Sequence, residues 1–251
     1  MKKLLAILLA VCLLAGCAAA PTETSVETTT EEPAQTTEET TPETTEETTQ
    51  GTTEPEPRQY VYTDGAFCYH IPVVEMPGVN ADEINETLYE TYTAFLQAEV
   101  LSTPVENRFW LGLTYEVGRK GDAVSVTVLQ QGDCDLDTYE VYYFSATTGE
   151  LLTKDAVFAA CDMTPEEGTE AIRQAMETYW EQFLMQDDPF VEELKEKTLA
   201  DSNVSAVKPL ITKTGELQFV GEFYSPAGAD SYWHRFDPQG EFIEMSCCEH
   251  G

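Results

Sequence analysis

WLGLTYEVGRKGDAVSVTVLQQGDCDLDTYEVYYFSATTGELL, residues 110–152, carries its apolar side chains with a period of two. Leu111, Leu113, Tyr115 and Val117 alternate with polar or smaller residues. Val124, Val126 and Val128 do the same, followed by Tyr139, Val141 and Tyr143. Successive side chains of a strand point to opposite faces, so the pattern predicts three antiparallel strands that each turn one face to a core. Gly118 to Gly121, Gly132 to Asp137 and Thr147-Thr148-Gly149 supply the reversals, because Gly and Asp adopt the backbone angles that tight turns need.

Working outward, Tyr60-Val61-Tyr62 and Phe67 to Val74 flank the turn signal Asp64-Gly65 and read as a hairpin. Between hairpin and meander, Ile84, Leu88, Tyr92 and Phe95 recur at helical spacing. They predict a helix from Ala81 to Val100, capped by Asn80 with Glu83 three residues on. After the meander, Thr164-Pro165-Glu166-Glu167 combines a cap, a first-turn proline and a capping-box glutamate. It opens a helix with the stripe Ile172, Ala175, Met176, Tyr179 and Phe183. A third, shorter helix starts at Asp188-Pro189 and runs to near Leu199, and Ala206 to Ile211, Leu217 to Tyr224 and Tyr232 to Ile243 read as strands. Strand runs separated by helices, without regular βαβ alternation, define an α+β fold. The expectation is an antiparallel β-meander with two longer helices and one shorter helix packed on it.

Residues 1–17 have a different character. Lys2 and Lys3 precede a short apolar run from Leu4 to Leu14, and Leu14-Ala15-Gly16-Cys17 closes it. The run falls short of the roughly 20 apolar residues of a spanning helix and fits a lipoprotein signal with Cys17 as the lipidated residue; cleavage near Ala20 is the alternative. Acyl chains bind the bilayer with about 0.8 kcal/mol per buried CH₂, so the predicted location is the extracytoplasmic face of the cell membrane, lipid-anchored. Residues 18–58 are almost wholly Thr, Glu and Pro. With little apolar surface to offset an ordering cost of roughly 1–2 kcal/mol per residue, they read as a disordered spacer. Its reach is on the order of 40 to 100 Å, and an O-glycosylated Thr-rich stalk is the alternative. Residues 59–251 are the globular domain, long enough to bury roughly 70% of the unfolded chain's surface.

The formal net charge is −33. The spacer contributes −10 and residues 59–251 contribute −25, so the folded domain is strongly acidic by itself. Such a surface repels nucleic acid and anionic lipid and attracts cations, although solubility accounts for much of the same charge.

The stretch Ile71-Pro72 through Asn80, Ile84-Asn85, the strand Asp122-Ala123-Val124-Ser125-Val126, the hairpin Tyr143 to Leu152, and Asp155 to Phe158 before a helix together resemble an extracellular domain of uncharacterised function. That domain forms the outer part of the lysozyme-sensing anti-sigma factor and accompanies the catalytic domain of certain peptidoglycan deacetylases. The resemblance covers roughly residues 60–245 and includes no reaction signature. This chain shows neither a deacetylase domain after the shared region nor an anti-sigma segment before it, so neither activity carries over. The resemblance implies a wall-facing binding or sensing module whose partner is peptidoglycan or a cationic protein such as lysozyme.

The residues themselves offer little catalytic chemistry. His70 and His234 sit on expected strands, His250 near the end of the chain, and Ser225-Pro226-Ala227-Gly228 lacks the flanking glycines of a nucleophile elbow. A carboxylate pair for wall hydrolysis stays open, because the separations that matter are spatial. An accessory role beside a membrane partner also stays open. Asp133-Cys134-Asp135-Leu136-Asp137 departs from a calcium-binding EF-hand loop at Thr138 and Phe144 and reads as a solvated acidic turn. Beyond Cys17 the sequence holds Cys68, Cys134, Cys161, Cys247 and Cys248, an odd count whose pairing the sequence leaves undetermined. Cys247-Cys248 with Glu249 and His250 suggests a soft-metal site or a frayed tail. No cofactor is called for. The segment Tyr224 to His234, a Gly/Pro loop flanked by Tyr224, Tyr232, Trp233 and His234, is the candidate ligand-binding element, and core packing of those rings is the competing reading.

Overall fold

The structure, a computed structural model, describes residues 57–182, 190–225 and 231–245. Cys17, the spacer through residue 56, Phe183, Asp188-Pro189, the loop 226–230, and Cys247, Cys248 and His250 lie outside the described residues. Residues Pro55–Gly251 make one compact unit, and among its described residues no helix is long and apolar enough to cross a membrane.

The fold is α+β, with two sheets. The first contains β1 (Val61–Asp64), β2 (Phe67–His70), β3 (Trp110–Lys120), β4 (Ala123–Gly132) and β5 (Thr138–Ser145), in that spatial order. The meander of β3, β4 and β5 is antiparallel throughout, with Val117 opposite Val126 and Val126 opposite Tyr142. One junction departs from the antiparallel expectation. β2 and β3 run parallel, with Cys68 opposite Gly112 and Tyr69 opposite Leu113. The helix between them carries the chain back to its starting end, and a return of that kind leaves two strands parallel.

That helix, α1 (Asp82–Phe95), continues as a wider turn through Leu96–Leu101. Its N-cap is Ala81 with no side-chain cap, so the expected Asn80 cap is corrected. Asn80 Nδ2 instead donates to the Thr148 carbonyl at 3.1 Å, and the Asn80 amide to the Ala146 carbonyl at 2.7 Å, which ties the helix entry to the β5 turn. Ile84, Leu88 and Tyr92 pack on Val124, Val126 and Val128, all nearly or fully buried. Each such side chain contributes about 2 kcal/mol of apolar burial.

The alternate residues of β4, Ala123, Ser125, Thr127 and Leu129, are equally buried. They face the second sheet, formed by β6 (Lys208–Ile211), β7 (Leu217–Tyr224) and β8 (Ser231–Phe236) in antiparallel order. β6 lies against the first sheet, which satisfies its open backbone edge. Ser125 Oγ donates to the Ile211 carbonyl at 3.0 Å and accepts from the Ile211 amide at 2.8 Å. The Tyr143 hydroxyl donates to the Pro209 carbonyl at 2.8 Å. An edge strand covered in this way cannot recruit another chain. Gly118 lies within β3 and not in the turn expected for it. Its place is set by close approach, since a Cβ there would fall 1.9 Å from the Ile211 carbonyl oxygen.

The outer face of the second sheet, Phe219, Phe223 and Phe236, packs on Ile172, Ala175 and Met176 of α3 (Pro165–Gln182) and on Val204 of α5 (Asp201–Ala206). The capping box of α3 forms as expected, with the Thr164 amide donating to Glu167 at 2.8 Å and the Glu167 amide to Thr164 Oγ1 at 3.2 Å. The short third helix is α4 (Val191–Thr198). Two further helices were not expected: α5, and α2 (Lys154–Ala160), whose Val157 meets Ala123 and Ile211 while Phe158 reaches the α3 cluster. The result is four layers: α1, the five-stranded sheet, the three-stranded sheet, and the α3 and α5 helices.

Candidate functional site

The polar residues that stand out in the chain are mostly engaged inside the fold. Asn85 brackets the Val74 amide and carbonyl at 2.8 and 3.1 Å. Asp122 accepts from Ser145 Oγ at 2.6 Å and from the Thr147 amide and hydroxyl at 2.9 and 2.6 Å. These bonds hold its carboxyl below the usual carboxylate range, Ser145 first and Thr147 second. Such residues fix turns and supply no reaction centre.

The open chemistry lies where the sheets diverge. β8 alternates along its length, so Trp233 and Arg235 point toward the first sheet, while Tyr232 and His234 share a face with Phe236. Together with Gln131, Asp135, Asp137 and Tyr139 from the end of β4 and the start of β5, and with Phe242 to Met245, they line a cleft of about 780 Å³. A shallower extension of about 220 Å³ continues past Tyr232 and Trp233 to Phe109, Trp110 and Leu136. Phe109 is exposed and meets Trp110 edge to face, with ring centroids 4.8 Å apart.

Three of the four predicted binding residues, Tyr232, Trp233 and His234, therefore line one cleft. Tyr224 does not. It ends β7, and its amide donates to Thr198 Oγ1 at 3.1 Å. The core reading also holds in part. Trp233 packs on Leu129, Tyr139, Leu210 and Val220, and Lys208 Nζ lies 5.5 Å from the centre of its ring. The His234 ring stacks on Phe242 at 4.0 Å, and Phe242 stacks on Tyr179 of α3 at 4.4 Å. Burial lowers the His234 pKa to about 4, against an opposing pull from Asp135. At neutral pH the imidazole is therefore an uncharged flat face.

The charges in the cleft are unequally engaged. Arg235, buried at its floor, meets Glu116 Oε2 at 2.9 Å through NH1 and Gln218 Oε1 at 2.6 Å through Nε. Burial alone would raise the Glu116 pKa, but hydrogen bonds from Arg235 and the Lys213 amide outweigh it and keep the carboxyl ionised. Lys208 donates to the Tyr139 carbonyl at 3.1 Å. Of these two cations only Arg235 lines the cleft, where Asp135, Asp137 and Glu244 are also lining residues. Burial, reinforced by Asp135, raises the Asp137 pKa despite a hydrogen bond from the Gly132 amide.

The acidic turn is a short 3₁₀ segment, Asp133–Asp135, in which Cys134 and Asp135 take φ of 57° and 61°. Left-handed residues without glycine are uncommon and concentrate at functional sites. The turn is exposed, as the reading of a solvated acidic turn expects. Its place in the cleft follows from sheet docking, and no local signal reports it. Among the described residues no three His, Cys, Asp or Glu side chains converge as metal ligands.

The fold and site thus define an α+β domain with an acidic, ring-walled cleft between two docked sheets. A scan against protein-family models finds no match, and a search of curated proteins finds none either.

Proposed function

We propose that this protein is a lipoprotein held at the outer face of the cell membrane through Cys17. Residues 18–58 act as its spacer, and its folded unit is a non-catalytic binding or sensing domain facing the cell wall. The cleft is the receptor, and its ligand is a cationic protein segment of the kind lysozyme presents. One observation carries this reading: aromatic faces lie beside Asp135, Asp137 and Glu244, while Arg235, the cation among the described lining residues, is engaged by Glu116 and Gln218. A lysine or arginine side chain entering there gains a ring face worth about 0.5–2 kcal/mol and a carboxylate partner. The −33 net charge steers it in.

The test is binding of the chain from Ala18 to Gly251 to lysozyme and to purified peptidoglycan across a salt series, with muropeptide release followed in the same samples. Saturable lysozyme binding without release is expected. Asp137→Asn keeps the oxygen that accepts from Gly132 and should weaken binding about tenfold, the loss of one charge-assisted contact. Glu90→Gln, an exposed charge on α1, should leave it unchanged. Equal effects of the two variants would reduce the binding to nonspecific charge attraction. Muropeptide release would replace this reading with wall hydrolysis, for which Asp137, its carboxyl pKa raised by burial, is the general-acid candidate.

A further inference from the structure

Two reactive side chains stand together on β2, outside the aromatic cleft. Cys68 and His70 are two positions apart, so both point to the same side of the sheet, opposite the fully buried Tyr69. Cys68 Sγ lies 2.9 Å from His70 Nε2, the reach at which a base can take a nucleophile's proton. Both residues are half-buried. On β1 they stand opposite Thr63 and Val61, and on β3 Cys68 stands opposite Gly112. None of these neighbours carries a charge, and Gly112 presents no side chain. His70 also lines a cleft of about 450 Å³ with Thr114, Glu116, Lys213, Arg235 and Glu244. Its charged residues are two cations and two carboxylates, so their fields offset one another and the imidazole decides whether the sulfur is charged.

We propose that Cys68 and His70 form a thiol–imidazole dyad and that Cys68 is a modification site, converted to a mixed disulfide by small disulfides that enter the cleft His70 lines. A cysteine beside an imidazolium is held as the thiolate at neutral pH, and the thiolate is the nucleophilic form. With Nδ1 carrying the ring proton, His70 Nε2 takes the proton of the Cys68 thiol, and the thiolate attacks one sulfur of the small disulfide. A new S–S bond forms to Cys68 as the S–S bond of the small disulfide breaks, and the departing thiolate takes the proton from the imidazolium. Cys68 is thereby oxidised and the small disulfide reduced, with one thiol released and no further oxidant consumed. Acyl transfer would also need donors aimed at an oxyanion. Exchange needs only the thiolate and a carrier for its proton, and the pair supplies both. Cys134, exposed in the acidic turn, and Cys161, at the end of α2 with its thiol pushed up by burial, lie on other elements. This site goes beyond the proposed binding role, and its test does not depend on that role.

The experiment uses the reduced chain from Ala18 to Gly251, which contains the whole compact unit. It is mixed with hydroxyethyl disulfide, a small uncharged probe, across a pH series and quenched with acid, and the adduct on each cysteine peptide is read by mass spectrometry. At about pH 6, where an ordinary thiol of pKa about 8.5 is almost wholly protonated, Cys68 should react at least about tenfold faster than the more exposed Cys134, and faster than Cys161. The Cys68 rate should stay nearly level as the pH rises from there, while the Cys134 rate climbs. His70→Gln keeps a polar side chain on the strand, so the Tm should hold while the Cys68 rate falls by about tenfold or more and climbs with pH as that of Cys134 does. Cys134 reacting as fast as Cys68 at the low pH, or a parent Cys68 rate that climbs with pH like that of Cys134, overturns the proposal. Both are read on the parent alone and stand whether or not the variant folds. A Cys68 rate untouched by His70→Gln overturns it too, as does isolation of the untreated protein with Cys68 already in a disulfide to another cysteine of the chain.

Discussion

Replacing His234 by Phe should make the protein markedly more resistant to acid. The imidazole is packed between aromatic rings, and burial lowers its pKa from the ordinary 6.5 to about 4. As the pH falls, the unfolded chain takes up a proton near 6.5 while the folded chain refuses it until about 4. The contribution is therefore complete above 6.5, declines between those two values and falls no further below the lower one. Each pH unit is worth about 1.4 kcal/mol, so the window costs the native state about 3 kcal/mol. Phenylalanine preserves the stack on Phe242 and has nothing to titrate. Urea denaturation of the parent and of His234→Phe through this window isolates the effect, because carboxylate contributions common to both cancel in the difference. The difference should move by about 3 kcal/mol in favour of Phe, and the imidazole proton resonance of His234 should titrate near the lower value. A difference that stays flat with pH, or a resonance titrating at its ordinary position, would refute the reasoning.

The buried ion pair and the close sheet contact give two more tests. Glu116→Ala strands the Arg235 guanidinium, whose side chain is 4% exposed, and removes the acceptor of the Lys213 amide. The expected loss is about 3–5 kcal/mol in urea denaturation, most of it recovered when Glu116→Leu is combined with Arg235→Met. Because the Glu116 pKa is lowered in the folded state, the difference between parent and Glu116→Gln should be full above the ordinary value of 4.5 and shrink as the pH falls below it. Gly118→Ala places a methyl 1.9 Å from the Ile211 carbonyl oxygen and 2.4 Å from that of Thr212. It should destabilise by about 3 kcal/mol or more, and an unchanged Tm would contradict the docking of β6 on β3.

What the sequence reveals depends on how local the cause is. The meander, the α1 stripe and the Thr164 capping box rest on residues close together in the chain, and all appear where the pattern puts them. β4 is the instructive partial case. Its valines mark one buried face, but Ser125 and Thr127 read as the wet face and are as fully buried as the valines. Ser125 is accommodated there because Ile211 supplies its hydrogen-bond partners, whereas Thr127 Oγ1 is buried with no hydrogen-bond partner among the described residues. α2 carries no helical stripe in the sequence, because its two buried residues, Val157 and Phe158, are adjacent and wedge into different clusters. At the site, the aromatic run of β8 was legible as a candidate. Asp135, Asp137, Tyr139 and Phe242 were not, because only the docking of the sheets brings them to it.

The same docking explains why the cleft can stay acidic without weakening the fold. Glu116 and Arg235 are 119 positions apart, and their pairing joins β3 to β8 at the cleft floor. Gln218 and the Lys213 amide complete their hydrogen bonds, so the guanidinium is balanced where it lies and lends little positive field to the opening. Asp135, exposed at the rim, is kept there cheaply by hydration, whereas Asp137 is half-buried, and its charged form is disfavoured by burial despite the Gly132 amide. Stability thus resides in the neutralised floor and ligand preference in the rim. Asp135 is accordingly a position where charge can change with recognition altered and the fold retained, Asp137 is one only when the acceptor for the Gly132 amide is kept, as in Asp137→Asn, and Glu116 is the position where a similar change should remove both.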